Sequence, residues 1–189
     1  PDYAVTGVQT CALPILLNDG MNMDEIKKVL REDYLILPEK IELMTEVAQK
    51  ERPHLVPNDP NAISLYICIP FCPTRCLYCS FPSNDLEHKG KLLPLYLEKL
   101  EQEIIVAINH IKSIHKRIDC IYVGGGTPTS IDAVQLEHLL GVIQAHVDVT
   151  ALKEYTVEAG RPDTITHEKL KIMKQYGVDQ IGRASCRER

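Results

Sequence analysis

Residues 62–79 read Ala62-Ile-Ser-Leu-Tyr-Ile-Cys-Ile-Pro-Phe-Cys-Pro-Thr-Arg-Cys-Leu-Tyr-Cys79, an apolar run that passes straight into a loop holding three cysteines. Ala62 to Pro70 has the short, β-branched composition of a strand buried in a parallel sheet. The loop sets Cys72, Cys76 and Cys79 at C-x3-C-x2-C spacing. It shows no periodicity that would oppose the wrapping of three thiolates around a metal centre.

Downstream, residues 92–115 place Leu93, Leu97, Leu100, Ile104, Ile108 and Ile111 on one helical face, with Glu98, Lys99, Glu101 and Glu103 on another. Ile118 to Val123 reads as a second strand ending at Gly124, residues 132–146 as a helix, Glu154 to Glu158 as a third strand, and Thr166 to Tyr176 as another helix. Such βα alternation predicts an α/β fold with parallel strands, either a barrel or an open doubly wound sheet. In both, function gathers at the C-terminal ends of the strands. The cysteine loop, Gly124 to Thr129, and Glu158 to Arg161 all fall on that rim.

Upstream, a helix is expected from Asp24 as N-cap through Ile26, Val29 and Leu30. A second begins at Pro38 and carries Ile41, Met44, Val47 and Ala48 as its apolar stripe. Residues 51–61, rich in proline and asparagine, read as a linker that cannot continue a helix. The organisation is thus a helical segment and linker at 17–61 and a βα unit at 62–181.

At 189 residues, 44% hydrophobic and 25% charged, the chain has an ordinary soluble composition without a run of about 20 apolar residues. No secretory signal is evident, and the net charge of −5 lies on mixed-sign helices. A cytoplasmic protein that binds neither nucleic acid nor membrane is expected. Of the seven cysteines, three cluster within eight residues, which in a reducing compartment points to metal ligation rather than disulfides. Cys11, Cys68, Cys120 and Cys186 have no partner by spacing.

Three ligands, where a closed site takes four, leave one iron of a 4Fe-4S cluster open to a substrate. Such an iron could chelate the amino and carboxylate groups of S-adenosylmethionine (SAM), so that one electron breaks the sulfonium C–S bond. The alternatives are a structural zinc site with Cys68 as fourth ligand, a plain electron-transfer module, and inert buried thiols. Gly124-Gly-Gly-Thr-Pro128 has neither phosphate-loop spacing, but its open backbone suits the methionine end of SAM, with Thr127 near the carboxylate. Glu158 ends a strand at the rim, where a carboxylate meets a ligand as readily as a core partner.

Tyr66-Ile-Cys-Ile-Pro-Phe-Cys72-Pro-Thr-Arg-Cys76-Leu-Tyr-Cys79-Ser-Phe81 resembles the signature of radical SAM enzymes related to oxygen-independent coproporphyrinogen III dehydrogenase (oxidase), and the Gly124 run resembles that family's GGGTP motif. The resemblance covers about residues 20–181. It implies a radical SAM (β/α) barrel, of which three to four parallel strands are present, with Cys72, Cys76 and Cys79 holding the 4Fe-4S cluster. It also implies SAM contacts at Tyr66, Tyr78, Gly125, Gly126, Thr127 and Glu158. The implied reaction is oxidative decarboxylation of coproporphyrinogen III to protoporphyrinogen IX: an adenosyl radical takes a hydrogen from a propionate, and loss of CO2 and an electron leaves a vinyl group. Its partners are a small-molecule tetrapyrrole and an electron donor such as flavodoxin or ferredoxin. A haem chaperone shares the cysteine loop, so that reading stays open. Close relatives carry His where this chain has Cys68, whereas a divergent branch from anaerobic and spore-forming bacteria lacks it. Strand alternation puts Tyr66 and Cys68 on one face, which makes the Cys68 thiol either a replacement proton donor and catalytic group or a packing residue.

The ends differ in character. Ala4 to Ile15 and Gly182 to Arg189 resemble translated sequencing adapters, so residues 1–16 and 182–189 are expected to be foreign to the native protein. A barrel of three to four strands is expected to leave an unpaired sheet edge and to be inactive by itself.

Overall fold

The computed structural model describes the backbone of residues 17, 20–55, 59–77, 79–81 and 83–182, and the side chains of these except 51–55. Tyr78, Cys11, Cys186 and the adapter-like stretches 1–16 and 182–189, except Gly182, lie outside the described residues. Two compact units meet in sequence between Pro60 and Asn61.

In the first unit, α1 (Met23–Glu32) and α2 (Pro38–Leu55) enclose Ile26, Leu30, Ile36, Ile41 and Ala48. The cap of α1 is Asn22, not Asp24. The Asn22 side chain accepts from the Glu25 amide at 3.0 Å, and Glu25 accepts from the Asn22 amide at 2.8 Å. This reciprocal box satisfies two orphan donors and leaves Asp24 as first-turn charge beside the positive end of the dipole. The α2 helix also runs on to Leu55, past the point where proline was expected to end it. Pro53 removes only one ladder hydrogen bond, and it does so in the last turn, where the ladder is ending anyway.

The second unit is built on β1 (Ala62–Ile69), β4 (Arg117–Gly125), β5 (Glu154–Glu158) and β6 (Gln180–Gly182), all parallel and adjacent in the order β1-β4-β5-β6. Parallel neighbours need long crossovers, supplied by α4 (Leu93–Ser113), α5 (Ala133–His146) and α6 (His167–Gln175). One sheet face carries Ile67, Ile69, Ile121, Val123, Tyr155 and Val157, buried against Leu100, Ile104 and Ile108 of α4, Leu136, Leu140 and Ile143 of α5, and Met173 of α6. Each such aliphatic side chain contributes about 1.5–3 kcal/mol by leaving water. The expected α/β architecture with four parallel strands is therefore present.

The β1 strand departs from the expected doubly buried strand. Among the described residues it lies at the sheet edge, and only Ile67 and Ile69, on its helix-facing side, are buried. Tyr66 on the other side is 56% exposed. The apolar run reflects one face of Ile and Leu plus Tyr66 and Cys68 on the opposite face. A second, two-stranded parallel sheet pairs β2 (Phe71–Cys72) with β3 (Asn84–Asp85), followed by the one-turn helix α3 (Leu86–Lys89). Asn84 donates to the Pro70 carbonyl through its amide at 2.8 Å and its side chain at 3.1 Å. The cysteine loop is thus clamped at both ends, where sequence alone predicts no regular structure. Among the described residues no helix is long and apolar enough to cross a membrane.

Candidate functional site

Parallel register puts Tyr66 opposite Tyr122 and Tyr122 opposite Thr156, so the sheet face turned away from α4, α5 and α6 presents Tyr66, Cys68, Tyr122, Thr156 and Glu158 together. The rings of Tyr66 and Tyr122 stack with centroids 5.6 Å apart and planes within 10°. The Tyr122 hydroxyl donates to Glu158 Oε1 at 2.7 Å. Burial, and then this bond to Glu158, push the Tyr122 phenol up to about 12, which keeps it a donor at neutral pH. Burial first, and then the Cys68 and Glu158 charges, raise the Tyr66 phenol. Burial, and then Glu158, push the Cys68 thiol up, so it is held in its protonated form. The Cys68 carbonyl accepts from the Tyr96 hydroxyl at 2.8 Å.

The glycine turn after β4 is stitched to the cysteine loop. Gly126 N donates to the Ile69 carbonyl at 3.0 Å and Thr127 N to the Phe71 carbonyl at 2.9 Å. Phe71 O also accepts from the Ser130 hydroxyl at 3.2 Å. Thr127 is buried, and its hydroxyl lies 3.4 Å from Cys72 Sγ. Gly125 adopts φ +117°, and a Cβ there would lie 2.9 Å from Cys68 Sγ. At Gly126 a Cβ would stand 2.8 Å from both Cys72 Sγ and Phe71 O. Backbone and thiols approach this closely because neither position carries a side chain.

Cys72 is buried, and Cys76 and Cys79 are half-buried; all three are free thiols. The Cys79 amide donates to the Cys76 carbonyl at 3.1 Å, and Arg75 donates to the Cys79 carbonyl at 3.4 Å. Arg161, just beyond β5, reaches across to this loop. Its Nη1 donates to the Thr74 carbonyl at 3.2 Å and hydroxyl at 2.9 Å and lies 3.9 Å from Cys76 Sγ. Its Nε and Nη2 grip the Asp163 carboxylate at 3.0 and 2.6 Å, which holds Asp163 below the usual carboxylate range.

The donor set suits a 4Fe-4S cluster. Three free thiols stand in one clamped loop, one of them within a cradle that a single Cβ would fill, and a cation beside another complements thiolate charge. Among the described residues, no three Cys, His, Asp or Glu side chains are drawn together as one metal ion would require. A four-iron cluster is a larger body than one ion and spaces its ligands more widely.

Three features go beyond the sequence reading. Tyr122 shares the alternation that selects Tyr66 and could have been found by it. Arg161 falls in the rim segment Glu158 to Arg161, but its contacts with Thr74 and Cys76 carry no local signal. Lys169, on α6, is buried and donates to the carbonyls of Thr129 at 2.7 Å and Thr164 at 3.1 Å, while those two threonine hydroxyls meet at 2.7 Å. It ties together the loops that follow β4 and β5, and burial lowers its amine from the ordinary value.

A sequence model of the radical SAM superfamily matches residues 66–182. The oxygen-independent coproporphyrinogen-III oxidase-like protein HemZ of Bacillus subtilis (strain 168) is 38% identical over 182 residues, covering 94% of this chain and 36% of that protein. The heme chaperone HemW of the same organism is 40% identical over 119 residues, 62% of this chain and 30% of that one. Among solved structures, coproporphyrinogen III oxidase (HemN) from Escherichia coli, titled a radical SAM enzyme, aligns with a TM-score of 0.53 at 26% identity, over 62% of this chain and 26% of that chain. The chain spans about a third of the length of the curated relatives it matches.

Proposed function

The chain belongs to the radical SAM superfamily, and from that premise we propose that it is part of an oxidoreductase that converts coproporphyrinogen III to protoporphyrinogen IX by oxidative decarboxylation. The observation that carries the reading is the meeting, at one rim, of the three-cysteine loop, the glycine turn stitched to it, and Glu158 held by Tyr122. Similarity across 182 residues to a coproporphyrinogen-III oxidase-like protein supports the substrate class.

Cys72, Cys76 and Cys79 would hold the 4Fe-4S cluster, and Gly125, Gly126, Thr127, Glu158, Tyr66 and Tyr78 would bind SAM. Cluster and SAM together supply one-electron cleavage of the sulfonium C–S bond. The rest falls to this chain's own groups. Glu158 offers a carboxylate whose orientation is fixed by the Tyr122 hydroxyl, so its free lone pairs are aimed before a ligand arrives. The stacked Tyr66 and Tyr122 rings form an apolar surface beside it against which a ligand can pack. Cys68, kept protonated between them and the glycine turn, can donate a proton where a thiolate could not. The electron donor would be a cytoplasmic flavodoxin or ferredoxin.

A second reading, a heme chaperone, has its own support in the 40% identity to HemW. Anaerobic reconstitution of a full-length protein that contains this chain with iron and sulfide, followed by SAM, dithionite and coproporphyrinogen III, separates the two. Formation of 5′-deoxyadenosine together with decarboxylated porphyrin, read by liquid chromatography and mass spectrometry, is the expected result. SAM cleavage with coproporphyrinogen unchanged would overturn the dehydrogenase reading in favour of the chaperone.

A further inference from the structure

Arg161 is a charged side chain that joins the strand-end loop after β5 to the cysteine loop, across 85 residues of sequence to Cys76 and 87 to Thr74. Its three nitrogens are divided between two tasks. Nε and Nη2 form a two-point fork on Asp163, which fixes the plane of the guanidinium. Nη1 is thereby aimed at the Thr74 carbonyl and hydroxyl and toward Cys76 Sγ. The side chain is only 21% exposed, so its charge is partly shielded from solvent and acts over short range at more than its bulk-water strength.

We propose that Arg161 is a positioning residue for the metal centre, which shapes residues 73–76 through Thr74 and raises the reduction potential of the cluster held there. The inference rests on the reading of Cys72, Cys76 and Cys79 as cluster ligands and goes beyond it by assigning a residue that sets how readily the cluster accepts its electron. Adding an electron makes the cluster and its thiolates more negative. A fixed cation beside one thiolate stabilises that state over the oxidised one, and net charge and hydrogen bonds to sulfur are among the terms that set such potentials. Asp163 is part of the device, because without it the guanidinium loses the partner that orients it. Its carboxylate lies on the far side of the fork from Cys76, so the nearer charge felt at the sulfur is the positive one.

The test uses the full 189-residue chain, reconstituted with iron and sulfide, and three variants: Arg161→Gln, Arg161→Lys and Asp163→Asn. Iron and sulfide content is measured first, then the midpoint potential by a redox titration monitored by electron paramagnetic resonance in the absence of substrate. Arg161→Gln is expected to lower the reduced-to-oxidised ratio at a fixed potential about tenfold, a shift of about 59 mV to more negative values for a one-electron couple. Arg161→Lys, which keeps the charge without the fork, is expected to recover most of that shift. Asp163→Asn is expected to fall between Arg161→Gln and the unsubstituted chain and to broaden the signal, because the guanidinium is no longer held in one orientation. A residue that only props up the loop would change cluster content in both Arg161 variants and leave the potential alone.

An Arg161→Gln protein that carries its cluster at the unsubstituted potential overturns this proposal and leaves the cysteine-loop reading standing. An unsubstituted chain that takes up no iron and sulfide overturns both.

Discussion

Replacing Gly126 by alanine sets the glycine turn against the cysteine loop at distances that fix the size of the effect. The added Cβ would stand 2.8 Å from Cys72 Sγ, 2.8 Å from Phe71 O and 3.1 Å from Phe71 C, all shorter than a van der Waals contact. The Phe71 carbonyl cannot yield easily, because it accepts from Thr127 N and the Ser130 hydroxyl and Phe71 itself is 2% exposed. On the other side Gly126 is tied to the Ile69 carbonyl. The Cys72 thiol is the softest of the three neighbours, so it turns away and gives up its contact with Thr127. Overpacking of this kind costs about 1–3 kcal/mol, measured as a lowered denaturant midpoint at unchanged slope. Displacement of one of the three proposed cluster ligands should also cut iron uptake on reconstitution to less than half. Gly141→Ala is the control: the nearest atoms to a Cβ there are at 3.7 Å on Tyr176, and the site lies inside α5. It should stabilise by about 0.5–1 kcal/mol and leave iron uptake intact. If Gly126→Ala matched Gly141→Ala in both stability and iron content, the steric reasoning would be wrong.

Tyr122→Phe removes the donor to Glu158 and should raise the SAM dissociation constant roughly tenfold, since hydrogen bonds to charged groups are worth about 1.5–3 kcal/mol and part of that orients Glu158; isothermal calorimetry reads it. The same phenol has a folded-state value near 12 against an ordinary 10, so its stabilising effect is whole below pH 10 and is lost as pH rises toward 12. Denaturation curves across that window should fall less steeply in Tyr122→Phe than in the unsubstituted chain, and equal slopes would refute the assignment. In the first unit, Asn22→Ala should cost about 1 kcal/mol as a lost N-cap, while Asp24→Ala should cost less, since Asp24 accepts no capping bond there; the reverse order by circular dichroism melts would restore Asp24 as the cap.

The strands β4 and β5 and the helices between them were readable because hydrophobic periodicity is local, and burial against a sheet repeats every second or every third to fourth residue. The three cysteines were readable from spacing alone. The β2–β3 clamp was not, since two residues per strand carry no period and the partners at Phe71 and Asn84 are joined only by folding. Asn22 lost out to Asp24 because both precede the apolar stripe, and only the Glu three residues after Asn22 separates them. Lys169 reads as one more surface lysine in His167–Gln175; its burial depends on two carbonyls contributed by loops from elsewhere in the fold. Arg161 belongs to the same class: its partners lie 85 to 87 residues away, beyond the reach of any periodic signal, whereas Tyr122 shares the alternation of Tyr66 and only its bond to Glu158 is set by folding.

The stitch between Ile69 and Phe71 on one side and Gly126 and Thr127 on the other bears on how the protein is made. Chains are synthesised from the N-terminus, so all three thiols emerge well before the amides that shape their loop. Contacts this distant in sequence form late in folding, after the cost of closing the intervening segment has been met. Until α4 and β4 are in place, the nascent cysteines are an unshaped run of reactive sulfur, open to oxidation or to capture of a stray ion. If the three thiols hold the cluster as proposed, loading of iron and sulfide is expected to follow docking of β4, and a ribosome-held chain halted before Gly126 should take up iron poorly even though all three thiols have already been made.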